Sequence, residues 1–151
     1  MGLDPAEIAL RLGAALVAGA LIGLDREFKK RPAGLQTHAL VSLGAALTLL
    51  VVAGAPPGAG DPMSRAVQGI ITGIGFLGAG VIMQHERERR VEGLTTAASI
   101  WTAAALGMAC GAGYLLLAGI GLAAIIFVLV VGGWVEVWME RRGMGNKEKQ
   151  G

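Results

Sequence analysis

The sequence predicts an all-α integral membrane protein, with five transmembrane helices arranged as two parallel-repeat helical hairpins plus a fifth helix. Three observations carry this reading. Hydrophobic residues make up 54% of the 151 residues and charged ones only 16%, and mean hydropathy is +0.61. The charge is confined to a few short blocks, which leaves long apolar stretches between them. The pattern Arg-x-x-Gly-Leu-x-Thr occurs twice, as Arg31, Gly34, Leu35, Thr37 and as Arg90, Gly93, Leu94, Thr96, each time where a charged stretch gives way to an apolar one. The register continues into the apolar stretch, where Ala45-Ala46-Leu47 aligns with Ala104-Ala105-Leu106. A soluble arrangement would need five nearly uncharged helices with too few polar faces to meet water.

A hydrocarbon core needs about 20 apolar residues of helix to cross it. The first span is expected over residues 8 to 24. Asp4-Pro5-Ala6-Glu7 precedes it and supplies an N-cap, a proline at the first helical position and an acid at the third. A basic run, Arg26, Lys29, Lys30 and Arg31, leads to the second span, 39 to 54. The turn-rich stretch 55 to 60 and a second cap-then-proline signal, Asp61-Pro62, lead to the third, 66 to 83. Arg87, Arg89 and Arg90 come before the fourth, 97 to 110; Gly111-Ala112-Gly113 turns the chain into the fifth, 114 to 135. The second and fourth are short, so their polar starts at Gln36 and Thr95 belong at the interface. Trp134 and Trp138, followed by Arg141 and Arg142, have the composition of an interfacial anchor. Residues 1–142 form the transmembrane domain and 143–151 a short polar cytoplasmic tail.

On this layout 11 of the 13 basic residues fall on one side. Lys and Arg concentrate in cytoplasmic loops, which puts the N-terminus outside and the C-terminus in the cytoplasm, and the odd number of spans agrees. The N-terminus opens with acids and lacks the basic region of a secretory signal. Net charge is only +2 and its basic residues flank spans, so nucleic acid gets no support as a partner. The lipid bilayer is the first partner, and a homo-oligomer is compatible with the glycine content. Gly is 25 of 151 residues. Small residues let helix backbones approach in lipid, and Gly19/Gly23, Gly69/Gly73 and Gly107/Gly111 each stand one turn apart on one helix face.

Chemistry-bearing residues are few. Asp25, Arg26 and Glu27 close the first span. Ionisable groups near a membrane core are expensive and therefore suspect, against the plainer reading that they end the helix and pair with basic neighbours. Glu7/Arg11 and Asp61/Arg65 have the spacing of helical ion pairs. The third span carries Gln68, Thr72, Gly73, Gly75 and Gly78, which serve either close helix packing or a substrate pathway. The two Gly-Leu-x-Thr helix starts place free N–H groups beside basic loops, where lipid phosphate or an acidic partner could sit, though a helix start needs no ligand. The lone Cys110 excludes an internal disulfide. His38 and His85 are isolated, and Ser42, Ser64 and Ser99 lack a recognisable partner. No catalytic set, metal site or cofactor is expected.

Four segments resemble the MgtC/SapB family of bacterial inner-membrane proteins: Gly23-Leu24-Asp25-Arg26-Glu27; Arg31-Pro32-Ala33-Gly34-Leu35-Gln36-Thr37-His38-Ala39-Leu40; Gly73-Ile74-Gly75-Phe76-Leu77-Gly78-Ala79-Gly80-Val81-Ile82; and Glu92-Gly93-Leu94-Thr95-Thr96-Ala97-Ala98-Ser99-Ile100-Trp101. The resemblance implies a five-span hydrophobic domain in the bacterial cytoplasmic membrane and a link to growth in low magnesium. It implies a regulatory role, since virulence-associated members restrain the proton-translocating ATP synthase. The alternative is a transporter of magnesium or another ion or small solute, oligomeric or not. Those members carry a soluble C-terminal domain, whereas this chain stops shortly after its last span, so functions needing that domain are not carried over. Thr95 stands where some members have Asn. The positions carried over are Asp25, Arg26, Gly34, Thr37, Gly93 and Thr95.

Overall fold

A computed structural model of the chain describes residues 3–54, 61–83 and 93–142. They form five helices: α1 (Pro5–Phe28), α2 (Leu35–Ala53), α3 (Pro62–Met83), α4 (Leu94–Gly111) and α5 (Leu115–Arg141). Each is long and apolar enough to cross a membrane, and among the described residues there is no strand. The basic stretch 84–92, the turn-rich stretch 55–60, His85 and the tail 143–151 lie outside the described residues.

The helix starts follow the sequence signals. Asp4 caps α1 by accepting from the Ala6 N–H at 3.3 Å, with Pro5 at the first position. Asp61 accepts from the Ser64 N–H at 3.1 Å at the start of α3. That carboxylate was expected to pair with Arg65; among the described residues it caps the helix instead, because the N–H groups of the first turn are nearer than an exposed arginine head. Glu7 and Arg11 do pair, and Arg11 also donates to the Gly111 carbonyl at 3.0 Å, closing the end of α4. α1 runs past the expected 24 to Phe28, and α5 runs past 135 to Arg141, where the Arg142 guanidinium lies 4.1 Å over the Trp138 ring.

α2 and α4 lie side by side at the centre, with their starts at the same end. Their approach is set by glycine: a methyl group on Gly107 would sit 2.8 Å from Ser42 Cα, and one on Gly111 2.8 Å from Ala46 Cα. α1 packs against α2 and α4, and α3 against α4 and α2, which is the arrangement a two-fold axis along the membrane normal produces. Matching contacts repeat across the axis. Gly19 meets His38, Ala39 and Ser42, while Gly78 meets Ala97 at 3.5 Å; Gly78 and Ala97 stand at the repeat positions of Gly19 and His38. The core is made of small and branched residues, Ala15, Ala18, Ile22, Ala46, Ala103, Leu106, Cys110 and Ala118.

α5 packs on α1 and α4 and otherwise faces outward. Half of the α4 span is buried but only 6% of the α3 and α5 spans. Phe76 on α3 and Leu116 on α5 are about four-fifths exposed, at 81% and 80%. In lipid such surfaces cost nothing, and the interior is held by packing rather than by escape from water.

Candidate functional site at the common end of α1, α2 and α4

The end of α1 and the starts of α2 and α4 converge, and a buried polar chain joins them. Arg26, only 4% exposed, donates from Nη2 to Thr96 Oγ1 at 2.8 Å. One turn further along α4, Ser99 Oγ lies 2.8 Å from the Thr96 carbonyl and 2.9 Å from His38 Nε2. His38 Nδ1 lies 3.0 Å from the Gly34 carbonyl, so that nitrogen carries a proton. Ser99 has one hydroxyl proton: it donates to Nε2 of a neutral ring, or turns to the Thr96 carbonyl when Nε2 itself is protonated. Ser42 adds a bond to the Ala15 carbonyl at 2.7 Å. His38, Ser42 and Ser99, expected to be isolated or without a partner, are therefore partnered. The signal was hidden because His38 and Ser99 are 61 residues apart. Both are buried, at 0% and 3% exposure, so this Ser–His contact fastens α2 to α4 inside the bundle.

The expected site residues divide. Arg26, Gly93 and Thr95 come together in a cavity of about 560 Å³ also lined by Lys29, Arg31, Thr96, Gly132, Gly133 and Glu136. Asp25 is half-buried beside it and holds Lys29 at 2.9 Å; Lys29 Nζ also donates to the Leu129 carbonyl at 2.7 Å, tying α1 to α5. Arg31 stands 3.8 Å from Glu136. Arg26 was read as a helix-closing residue able to pair at headgroup level; it is enclosed by the bundle instead. Gly34 and Thr37 line a second, open cavity of about 580 Å³ with Leu24, Glu27, Leu35 and Gln36. There Glu27 accepts from the Leu35 N–H at 2.9 Å and so caps α2. Thr37 is exposed while its repeat partner Thr96 is buried. Thr96 is the polar residue that sequence reasoning passed over in favour of Thr95, although the repeat itself aligns Thr96 with Thr37.

Gly93 precedes α4 with φ 90°, in the left-handed region, and a methyl group there would also lie 3.2 Å from Val81. The α3 set is not part of this cluster. Gln68 and Thr72 are exposed, and Thr72 bonds back to the Gln68 carbonyl at 2.9 Å rather than across to another helix. Gly73 and Gly75 face open space, and only Gly78 touches a neighbour. Among the described residues no three His, Cys, Asp or Glu side chains gather as a metal site would require.

The class is thus a multi-pass helical membrane protein with a polar, basic cluster at one end of a closed bundle. The chain belongs to the MgtC family, whose model matches residues 12–138. It is 38% identical over 143 residues to an uncharacterised protein of Haemophilus influenzae, covering 89% of this chain and 59% of that one. It is 42% identical over 133 residues to protein SrpB of Synechococcus elongatus, covering 82% and 71%. It is 47% identical over 104 residues to protein MgtC of Salmonella typhimurium, covering 69% and 43%. The chain thus spans less than two thirds of the length of two of these three relatives. No solved structure matches it.

Proposed function

We propose that this protein is a non-enzymatic regulator in the bacterial inner membrane, acting in ion homeostasis under magnesium limitation by binding another membrane complex. The observation that carries the reading is the outer face of α3. Gly69, Gly73 and Gly80, which share one side of α3, have no atom within 4 Å of an added methyl group, whereas Gly19, Gly23, Gly107 and Gly111 on α1 and α4 meet neighbouring backbone. An α3 face of bare backbone is the surface on which a further membrane helix packs closely. Membership of the MgtC family and the likeness to protein MgtC support the magnesium link. The family resemblance makes the ATP synthase the partner to test first. The basic residues around the α1 end and at Arg141 and Arg142 support a cytoplasmic location for that end, with the N-terminus outside.

A photo-crosslinking residue at Gly73, introduced in intact cells grown in low magnesium, tests this. The expected product is a heteromeric adduct containing a subunit of a membrane complex, absent when the probe is placed at the buried Ala103. Recovery of monomer alone, or of self-adducts alone, would contradict it. Transport of magnesium or another ion remains the alternative, and would require the Ser42–Gly107 contact at the bundle centre to part or a route to form between copies.

A further inference from the structure

We propose that the cavity between α1, α4 and α5 binds a phosphate-class anion, held by Arg26, Lys29 and the free N–H groups that begin α4. The inference is independent of whether α3 docks a partner.

The two repeated helix starts differ in one decisive way. At α2 the first free N–H, that of Leu35, is taken by the Glu27 carboxylate. At α4 the N-cap is Gly93, and among the described residues no side chain accepts from its first N–H groups. The ladder begins with Ala97 N–H to the Gly93 carbonyl at 2.8 Å, which among the described residues leaves the N–H groups of Leu94, Thr95 and Thr96 unclaimed at the positive end of an 18-residue helix. All three residues line the cavity. Such a terminus is suited to an anion.

The second observation is Arg26 itself. It lines the same cavity, is 4% exposed, and its Nε is buried without a hydrogen-bond partner. Among the described residues its side-chain hydrogen bond goes to a neutral hydroxyl, Thr96 Oγ1, while the adjacent acid, Asp25, is engaged by Lys29. Asp25 and Glu136 lie near enough to attract this guanidinium, but among the described residues neither is hydrogen-bonded to it, and a buried guanidinium with no bonded anion is costly. Of the three cations in the cavity lining, Lys29 is paired with Asp25 and Arg31 is drawn to Glu136, so among the described residues Arg26 is the one left without an ion pair. A planar guanidinium, an ammonium and a row of backbone N–H groups together match a tetrahedral oxyanion, which offers several oxygens at once. The wall opposite is α5 at Gly132 and Gly133; a methyl group at Gly132 would meet nothing within 4 Å, and one at Gly133 would lie 3.3 Å from Lys29 Nζ.

The anion could be the headgroup of an acidic phospholipid or free inorganic phosphate, and the test separates them. The delipidated full chain in neutral detergent is titrated with inorganic phosphate, with chloride at matched ionic strength, and thermal unfolding is followed by tryptophan fluorescence. In parallel, native mass spectrometry counts bound phosphatidylglycerol against phosphatidylcholine. Phosphate-specific stabilisation identifies the free anion; selective retention of phosphatidylglycerol identifies the headgroup. In Arg26→Gln the affinity should fall about tenfold or more, the change expected from losing one charge-assisted hydrogen bond. Gly132→Leu, at a lining position where an added methyl group meets nothing within 4 Å, fills the space and removes no charge; it should do the same and covers the case in which Arg26→Gln does not fold. Glu86, the repeat counterpart of Glu27, lies outside the described residues, so Glu86→Gln is included. No preference for either phosphate probe over its control would overturn the proposal. So would undiminished binding in both cavity variants, or binding that appears only in Glu86→Gln, which would make that carboxylate the native occupant.

Discussion

Arg26 has Thr96 as its hydroxyl partner, and the two residues hold the end of α1 against the start of α4. Thr96→Val keeps the shape and removes the acceptor, leaving a buried charged donor unsatisfied. The expected cost is about 1–3 kcal/mol, read as a lower unfolding midpoint in detergent. Thr95→Val, one position away but exposed, should stay within about 0.5 kcal/mol. If the two variants behave alike, the buried bond is not what orders this end. The repeat made the pair of helix starts visible in the sequence, and the acidic-basic triplet at Asp25 to Glu27 drew attention to the right turn of α1. What stayed hidden was direction. Adjacent residues on a helix point about 100° apart, and only packing decides that Thr96 looks inward and Thr95 outward. His38 and Ser99 were hidden for a related reason, since their meeting depends on how α2 and α4 are set against each other.

Helices as units obey the apolar runs closely, and their ends obey local capping chemistry. Glu27→Ala should loosen the first turn of α2 by about 0.5–2 kcal/mol, the usual worth of a side chain that caps a helix; exchange of the Leu35 to Thr37 amides with deuterium should speed up while that of α4 is unchanged. The three glycine pairs looked alike in sequence, but only two pack inside the chain. Gly107→Ala must displace the backbone at Ser42 and should destabilise by about 1–3 kcal/mol. Gly73→Ala meets nothing within 4 Å and should leave the unfolding midpoint unchanged while weakening any crosslink formed through α3. Spacing shows that two glycines share a face; it cannot show whether that face meets the chain's own helices or something else.

At the scale of the molecule, two hairpins related by an axis along the membrane normal enclose a closed core, and α5 stands outside the pair. The duplication was legible because Gly34 and Gly93 stand in the same Arg-x-x-Gly-Leu-x-Thr pattern; the unequal burial of the hairpins was not, because α5 covers α1 and α4 and leaves α3 bare. An odd number of spans puts the chain ends on opposite faces. Cys110 is buried, so single cysteines at Leu3 and at Lys147 can be labelled against a silent background. An impermeant maleimide should modify the first and not the second in whole cells. The broader claim is that this bundle is a frame for binding and not a conduit, and ion flux tests it most directly. With the purified chain in proteoliposomes, magnesium and proton entry followed by internal dyes should match that of protein-free vesicles. Saturable entry that requires the protein, and that falls when Asp25 or Gly75 is replaced, would contradict the account.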